Sequence, residues 1–201
     1  MRQRALKLVL GPSTEPITLV EAKLHVRQDL ADDDTLISGL IVAAREEVER
    51  VSWHALITQT WEVVLDRWPG DLSGDHLELP KPPLQSVASI IYTDVPGTPT
   101  TWTAPNNYIV DTDSLPGRVV LADGATWPSA VLTPSGGIRV RFVAGWANAG
   151  LVPQLYKQAM LLLIGHWYEN REATGDANSR GSISFGVESL LRSSRMEVMR
   201  R

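Results

Sequence analysis

Apolar and polar positions follow two different periods along this chain, and the switch between them divides it. Leu19, Ala22, Val26 and Leu30 recur at helical spacing. They follow Thr18-Leu19-Val20-Glu21, which reads as a capping box: the Thr hydroxyl takes the N3 amide and the Glu side chain returns to the N-cap amide. A short helix is predicted from about Leu19 to Gln28. Leu36, Ile37, Leu40, Ile41, Ala44, Val48 and Val51 form a longer stripe, with Arg45, Glu46, Glu49 and Arg50 facing out. That predicts a helix from about Asp34 to Val51. After Trp53 the period falls to two. Trp61, Val63 and Leu65 share one face of a predicted strand over Thr60–Trp68. Leu77–Leu79 is a short strand stopped by Pro80, and Pro82-Pro83 makes a rigid extended connector. Val87–Tyr92 is a β-branched strand. Thr100–Trp102, Tyr108–Val110 and Arg118–Leu121 are weaker ones. Ile138–Ala144 alternates cleanly, with Ile138, Val140 and Phe142 in and Arg139 and Arg141 out. Lys7–Val9 predicts only a short extended piece.

From Val152 to Glu172 the helical period returns in a different form. Leu155, Ala159, Leu162 and Leu163 occupy one side, and Met160, Leu161, Ile164 and Trp167 fill most of the rest. A helix apolar nearly all round must be covered nearly all round. It is too short and too polar at its ends for a membrane span, which needs roughly 20 apolar residues. It is therefore expected to be the central core helix, covered either within one subunit or in part by a neighbouring one. The stretch ATGDANSRGSIS after it is small and polar and is expected to be mobile. A last short helix over Glu188–Met199 carries a weak apolar face and a basic end, and it is expected to order on a partner.

The pattern as a whole predicts an α+β protein. Its core is a small helical bundle of two N-terminal helices, one central apolar helix and a short C-terminal helix, with an antiparallel β module inserted. The expected boundaries are 1–57 for the N-terminal helical part, 58–146 for the β module, 147–172 for the central helix and 173–201 for a flexible linker and partner-binding helix.

Composition narrows the function classes. The 201 residues contain no cysteine, which removes disulfides, thiol catalysis and cysteine-ligated metals. A net charge of −4 gives no global basic field for nucleic acid. The N-terminal apolar run Ala5–Leu10 is broken by Lys7 and too short for a signal-peptide core, so a soluble, non-secreted protein is expected. Seven tryptophans against two phenylalanines favour a protein that binds others, because Trp anchors interfaces as well as cores.

No candidate chemistry outweighs its structural explanation. Asp32, Asp33 and Asp34 lack the glycine turn and spaced ligands of a calcium loop. One is expected to N-cap the following helix, with the others at its positive end. His166 and Glu169 stand three apart on a helix, but the matching carboxylates of a di-metal bundle are missing. His25, His54 and His76 show no ligand spacing. There is no Gly-x-Ser-x-Gly elbow, no phosphate loop and no Gly-x-Gly-x-x-Gly. Arg139 and Arg141 with Trp146 nearby suggest nucleic-acid stacking, yet two arginines on an exposed strand face are ordinary. No catalytic, cofactor or metal site is therefore assigned.

Several stretches, taken in order, resemble one family. They are ITLVEAKLHVRQD at 17–29, DDDTLISGLIVAAREEVER at 32–50, ALITQTWEVVLDRWP at 55–69, LELPKPPLQSVASIIYTD at 77–94, VRFVAGWANAGLVPQLYKQAMLLLIGHWYENRE at 140–172 and FGVESLLRSSR at 185–195. Together they are similar to the head–tail connector (adaptor) proteins of tailed bacteriophages and prophages, in the longer subfamily with a β-rich insertion. Residues 95–137 match least. The resemblance implies a structural virion protein, not an enzyme, located at the head–tail junction and present in host cytoplasm during assembly. It implies a ring, usually of twelve copies, beneath the portal protein, which extends the DNA channel and docks the next neck component, a stopper or tail-terminator. DNA would pass without specific binding, and no cofactor or membrane is involved. Leu190, Leu191, Arg192 and Arg195 are then the expected portal-binding residues. Asp32, Asp33, Asp34, Glu46 and Glu49 are the expected channel or inter-subunit residues. Two alternatives stand beside this: another neck or tail-completion protein binding the tail side, or a metal-dependent hydrolase built from Asp32, Asp33 and His166.

Overall fold

In the computed structural model, residues 3–69, 76–95, 97–170, 186–187 and 190–191 are described, with side chains from residue 5 onward. They form two compact units, and the chain passes from one to the other and back. Of the described residues, one unit is β-structured and contains those in 3–12 and 58–145; the other is helical and contains 13–57, 146–170, 186–187 and 190–191.

The β unit holds eight strands: β1 (Gln3–Leu10), β2 (Gln59–Leu65), β3 (His76–Glu78), β4 (Leu84–Thr93), β5 (Pro99–Trp102), β6 (Tyr108–Asp111), β7 (Arg118–Leu121) and β8 (Ile138–Ala144). They make an antiparallel five-stranded sheet ordered β1-β2-β8-β4-β5 and a three-stranded sheet ordered β3-β7-β6. β8 is the middle strand, and its period-two pattern sets the register. Phe142 stands opposite Trp61 and Val87, Val140 opposite Val63 and Ile90, and Ile138 opposite Leu65 and Tyr92. Cross-strand pairing on one face puts these apolar residues together, which fixes the register because a one-residue slip would expose them all. β1 is longer than the short piece over Lys7–Val9 that the sequence predicts. Its pairing with β2 comes from residues about fifty positions later, which no local pattern announces.

Tryptophans fill the rest of this unit. Trp68, Trp102 and Trp127 lie within 5.2–5.3 Å of one another by ring centroid, and Tyr108 is 4.9 Å from Trp102. Gly117, just before β7, accepts from the Leu79 amide at 2.8 Å. A Cβ at Gly117 would sit 2.3 Å from Leu84 Cβ. That neighbour is anchored to backbone and cannot swing away. Gly117→Ala is therefore expected to lower stability by about 1–3 kcal/mol or more, as overpacking does. Urea unfolding of the two proteins side by side checks this.

The helical unit contains α1 (Leu19–Val26), α2 (Asp34–Ser52) and α3 (Gln154–Glu169), with a short 3-10 turn over Ala149–Leu151. The capping box forms as expected: the Glu21 amide donates to Thr18 Oγ1 at 3.1 Å and the Thr18 amide donates to Glu21 Oε2 at 2.6 Å. The Thr18 amide foremost, and then the Thr18 hydroxyl, donate to the Glu21 carboxylate and hold it below its ordinary pKa of 4.5. A lowered folded pKa gives stability that is present above the ordinary value and lost as pH falls through the folded one. Glu21→Gln is thus expected to cost about 0.5 kcal/mol at pH 7, a charge at a helix N-terminus. The gap should close below pH 4.5, which chemical unfolding at the two pH values measures.

The helical core is built from Ile37, Ile41, Ala44 and Val48 of α2 and Tyr156, Ala159, Met160, Leu163 and Ile164 of α3, with Ala22 of α1 and Leu56 after α2. On α3 these buried residues form one broad face. Among the described residues no helix is long and apolar enough to cross a membrane.

Candidate interaction surfaces

The acidic residues singled out by sequence separate into three kinds. Asp33 takes the N-cap position of α2, but its side chain does not cap the helix amides. Its Oδ2 instead accepts from Tyr168 Oη of α3 at 2.6 Å and from Gln28 Nε2 at 3.2 Å. Asp34 pairs with Lys23 Nζ of α1 at 2.6 Å. Both carboxylates therefore bind helices together. Asp32 and Glu46 are exposed. Glu49 is neither exposed nor on an outer face.

Arg45 and Glu49 correct the helical-wheel reading, which places both outward. They are 6% and 5% exposed. Arg45 Nη1 donates to Glu49 Oε2 at 3.2 Å, and its Nε donates to Glu15 Oε2 at 2.9 Å. The Leu56 amide donates to Glu49 Oε1 at 2.8 Å. The reason lies outside the helix. Trp53 takes the left-handed conformation, φ 64°, and ends α2. The chain then folds so that Leu56 reaches Glu49, and the Glu15 loop closes over Arg45. Burial is the largest influence on Glu15 and raises its pKa, against the pull of the Arg45 guanidinium. The sign is opposite to that of Glu21: the Glu15 contribution is greatest below the ordinary pKa and declines as pH rises through the folded one.

The C-terminal candidates also divide. Val187 and Leu191 are buried in the core of the helical unit, Leu191 completely, and Leu190 is half-buried. A tail expected to order only on a partner thus has two of its apolar side chains in its own subunit. Arg192 and Arg195 lie outside the described residues, as do the expected mobile stretch and most of the last helix.

On β8, Arg139 and Arg141 do point away from the buried face. Both are held by Glu62 of β2, at 3.1 Å each. Glu62 is nine-tenths covered, and sequence spacing gave no sign that it gathers two arginines. The pair is neutralised in part by that carboxylate and makes no free basic stripe. His54 stacks on Trp146 at 5.8 Å and lies 5.5 Å from Tyr156, an aromatic packing role. His166 Nδ1 lies 3.1 Å from Asn170 Nδ2. Among the described residues no group of three His, Asp or Glu side chains is placed to hold a metal ion.

No protein-family model matches the chain, and no curated protein is similar to it. Solved structures are similar over its whole length. A chain in the virion of a native gene transfer agent (GTA) particle aligns with TM-score 0.75 and 25% identity, covering 98% of both chains. A chain in the neck of an empty GTA particle, computed with C6 symmetry, aligns with TM-score 0.76, 25% identity and the same coverage. A chain in the neck of the native particle, computed with C12 symmetry, aligns with TM-score 0.75 and 23% identity over 98% of both. The chain shares the fold of these chains from the virion and neck of a GTA particle over 98% of its length.

Proposed function

We propose that this protein is the head–tail connector, or adaptor, of its particle: a ring, of twelve copies by the resemblance, that sits beneath the portal. The ring extends the DNA channel and presents the surface on which a stopper or tail-terminator protein docks. The observation that carries this reading is whole-length similarity to a chain in a neck computed with C12 symmetry. The ordered sequence resemblance to connector proteins supports it independently.

In this reading the C-terminal segment meets the portal. Arg192 and Arg195 are the better anchors, because Leu191 is occupied in the helical core. Asp32 and Glu46, the exposed acids, face a neighbour or the channel. A negative lining offers no phosphate contacts, so DNA passes without sticking.

The test is association of the purified protein with the portal oligomer of the same particle, imaged by negative-stain microscopy. Ring-shaped density added at the narrow end of the portal is expected. Arg192→Glu/Arg195→Glu should abolish it while leaving the fold intact. Truncation after Ser184 is a poorer test, since it also strips Val187 and Leu191 from the core. No association with the portal would instead favour a neck or tail-completion component on the tail side.

A further inference from the structure

The outward face of the five-stranded sheet gathers cations over one hidden acid. The register puts Lys7 of β1 opposite Glu62 of β2, and Glu62 opposite Arg141 of β8. Arg139, two residues away on β8, points the same way. Arg139 Nη1 donates to Glu62 Oε1 and Arg141 Nη2 donates to Oε2, so each carboxylate oxygen is taken by a different guanidinium. Glu62 is covered, whereas both arginine side chains are half-exposed and Lys7 is exposed. Lys7 has no ion-pair partner among the described residues. Three cations around one carboxylate leave positive charge in excess, on a chain whose net charge is −4. The outward positions beside them, Thr60, Ser89, Ile91 and Val143, are uncharged. Glu62 also holds the two guanidinium forks side by side. Little side-chain freedom is then left to lose when their remaining N–H groups meet an anion.

The helical unit carries a patch of opposite sign. At the turn between α1 and α2, Asp33 and Asp34 are engaged by Tyr168, Gln28 and Lys23. Asp29 and Asp32 are exposed and have no ion-pair partner among the described residues. Leu30, between them, is 65% exposed. Lys23 Nζ donates to the Leu30 carbonyl at 2.9 Å and ties the turn to α1. Two carboxylates thus flank an uncovered Leu, and the sheet face offers cations beside the partly uncovered Ile91 and Val143. Lys7 and Arg141 stand two strand spacings apart, about 10 Å. The step from Asp29 to Asp32 spans at most about 10 Å, so one turn can serve both ends of the cationic row. A DNA backbone rewards a longer run of cations than this face holds, because each phosphate contact adds its own counterion release. We propose that the outward sheet face of one copy receives the Asp29–Asp32 turn of the next, with Lys7, Arg139 and Arg141 against the two carboxylates and Leu30 on the apolar positions. A ring closes by such heterologous contacts, in which one patch meets a different patch on the next copy. This rests on the ring reading above and adds the surface that joins the copies.

The chain has no cysteine, so thiols can be placed beside the charges without background. Ala31→Cys and Ser89→Cys leave every charge in place. The two variants are mixed and treated with a short bis-maleimide, alone and with the portal oligomer of the same particle. The mixture should give covalent dimers that neither variant gives by itself. Lys7→Glu should lower ring yield about threefold or more, as should Asp29→Lys/Asp32→Lys, and the three changes together should recover part of the loss. Circular dichroism first confirms that each variant folds. Rings without the mixed dimer, or whose yield neither reversal moves, would overturn the contact and leave the ring reading standing. Reversed rings that assemble at full yield but lose retained DNA would give the face to nucleic acid and overturn the contact likewise. Neither rings nor mixed dimers in either setting would overturn both readings.

Discussion

Glu49→Ala is expected to lower the stability of the helical unit by about 3–5 kcal/mol, the cost of breaking a buried pair by removing one partner. The carboxylate accepts from Arg45 and from the Leu56 amide, and both donors are left in a place that water does not reach. Glu15, and Glu46 at 3.6 Å, remain beside the guanidinium, so Arg45 keeps two counter-charges. The Leu56 amide keeps none of its bond to Glu49. Glu49→Gln separates the two effects. An amide oxygen can still accept from Leu56, so its loss should be smaller, closer to the about 1.5–3 kcal/mol of one charged hydrogen bond. Arg45→Met/Glu49→Leu should cost less than the sum of its parts, because neither member of the buried pair is left without the other, although Glu15 loses its partner. Urea midpoints of the four proteins decide this. Equal losses for Glu49→Ala and Glu49→Gln would show that the Leu56 amide contributes nothing.

Leu191→Ala is expected to cost about 2–5 kcal/mol, the range for truncating a large aliphatic side chain in a packed core. Leu191 is fully buried among residues of the helical core. Arg192→Glu/Arg195→Glu is expected, in the connector reading, to leave stability within about 0.5 kcal/mol. Thermal unfolding and portal association, measured on both variants, separate the roles. Leu191 should move the melting curve, and the arginines should move binding. If Leu191→Ala melts like the parent but fails to bind, its side chain belongs to the partner and not to the core.

Much of this fold was legible in the sequence because its periods are strong. The spans of α2 and β8 match the predicted ones to within a residue and β8 keeps its alternation, whereas on α2 Leu36 is exposed and Arg45 and Glu49 are buried. The capping box placed the start of α1 because its chemistry is local. What the sequence hid depends on distant residues. β1 becomes a full strand through pairing with β2, and Lys7 inside an apolar run obscures it. Arg45 and Glu49 look like solvent-facing helix charges until Glu15 and Leu56, from two separate loops, close over them. Leu191 reads as part of a weakly amphipathic tail, since nothing adjacent says that its pocket lies in its own subunit. The acids Asp33 and Asp34 were rightly placed at the start of α2, but their partners Tyr168 and Lys23 were not readable from spacing. Of the surface residues, Asp32 and Glu46 are exposed as expected.

The way the β unit is threaded has a consequence for engineering and for how such proteins diversify. Gln59 and Ala144 are direct partners on neighbouring strands, so the chain enters and leaves this excursion at points about 5 Å apart. Such a segment behaves as a cassette: it can be exchanged, enlarged or shrunk without stretching the residues that flank it. The cassette has a second piece, however, because β1 arrives from the other side of α1 and α2. A graft that transfers 58–145 alone leaves residues 3–10 as a strand that has lost its ladder partner β2. Transplanting both pieces, or deleting both, is the cut that respects the fold.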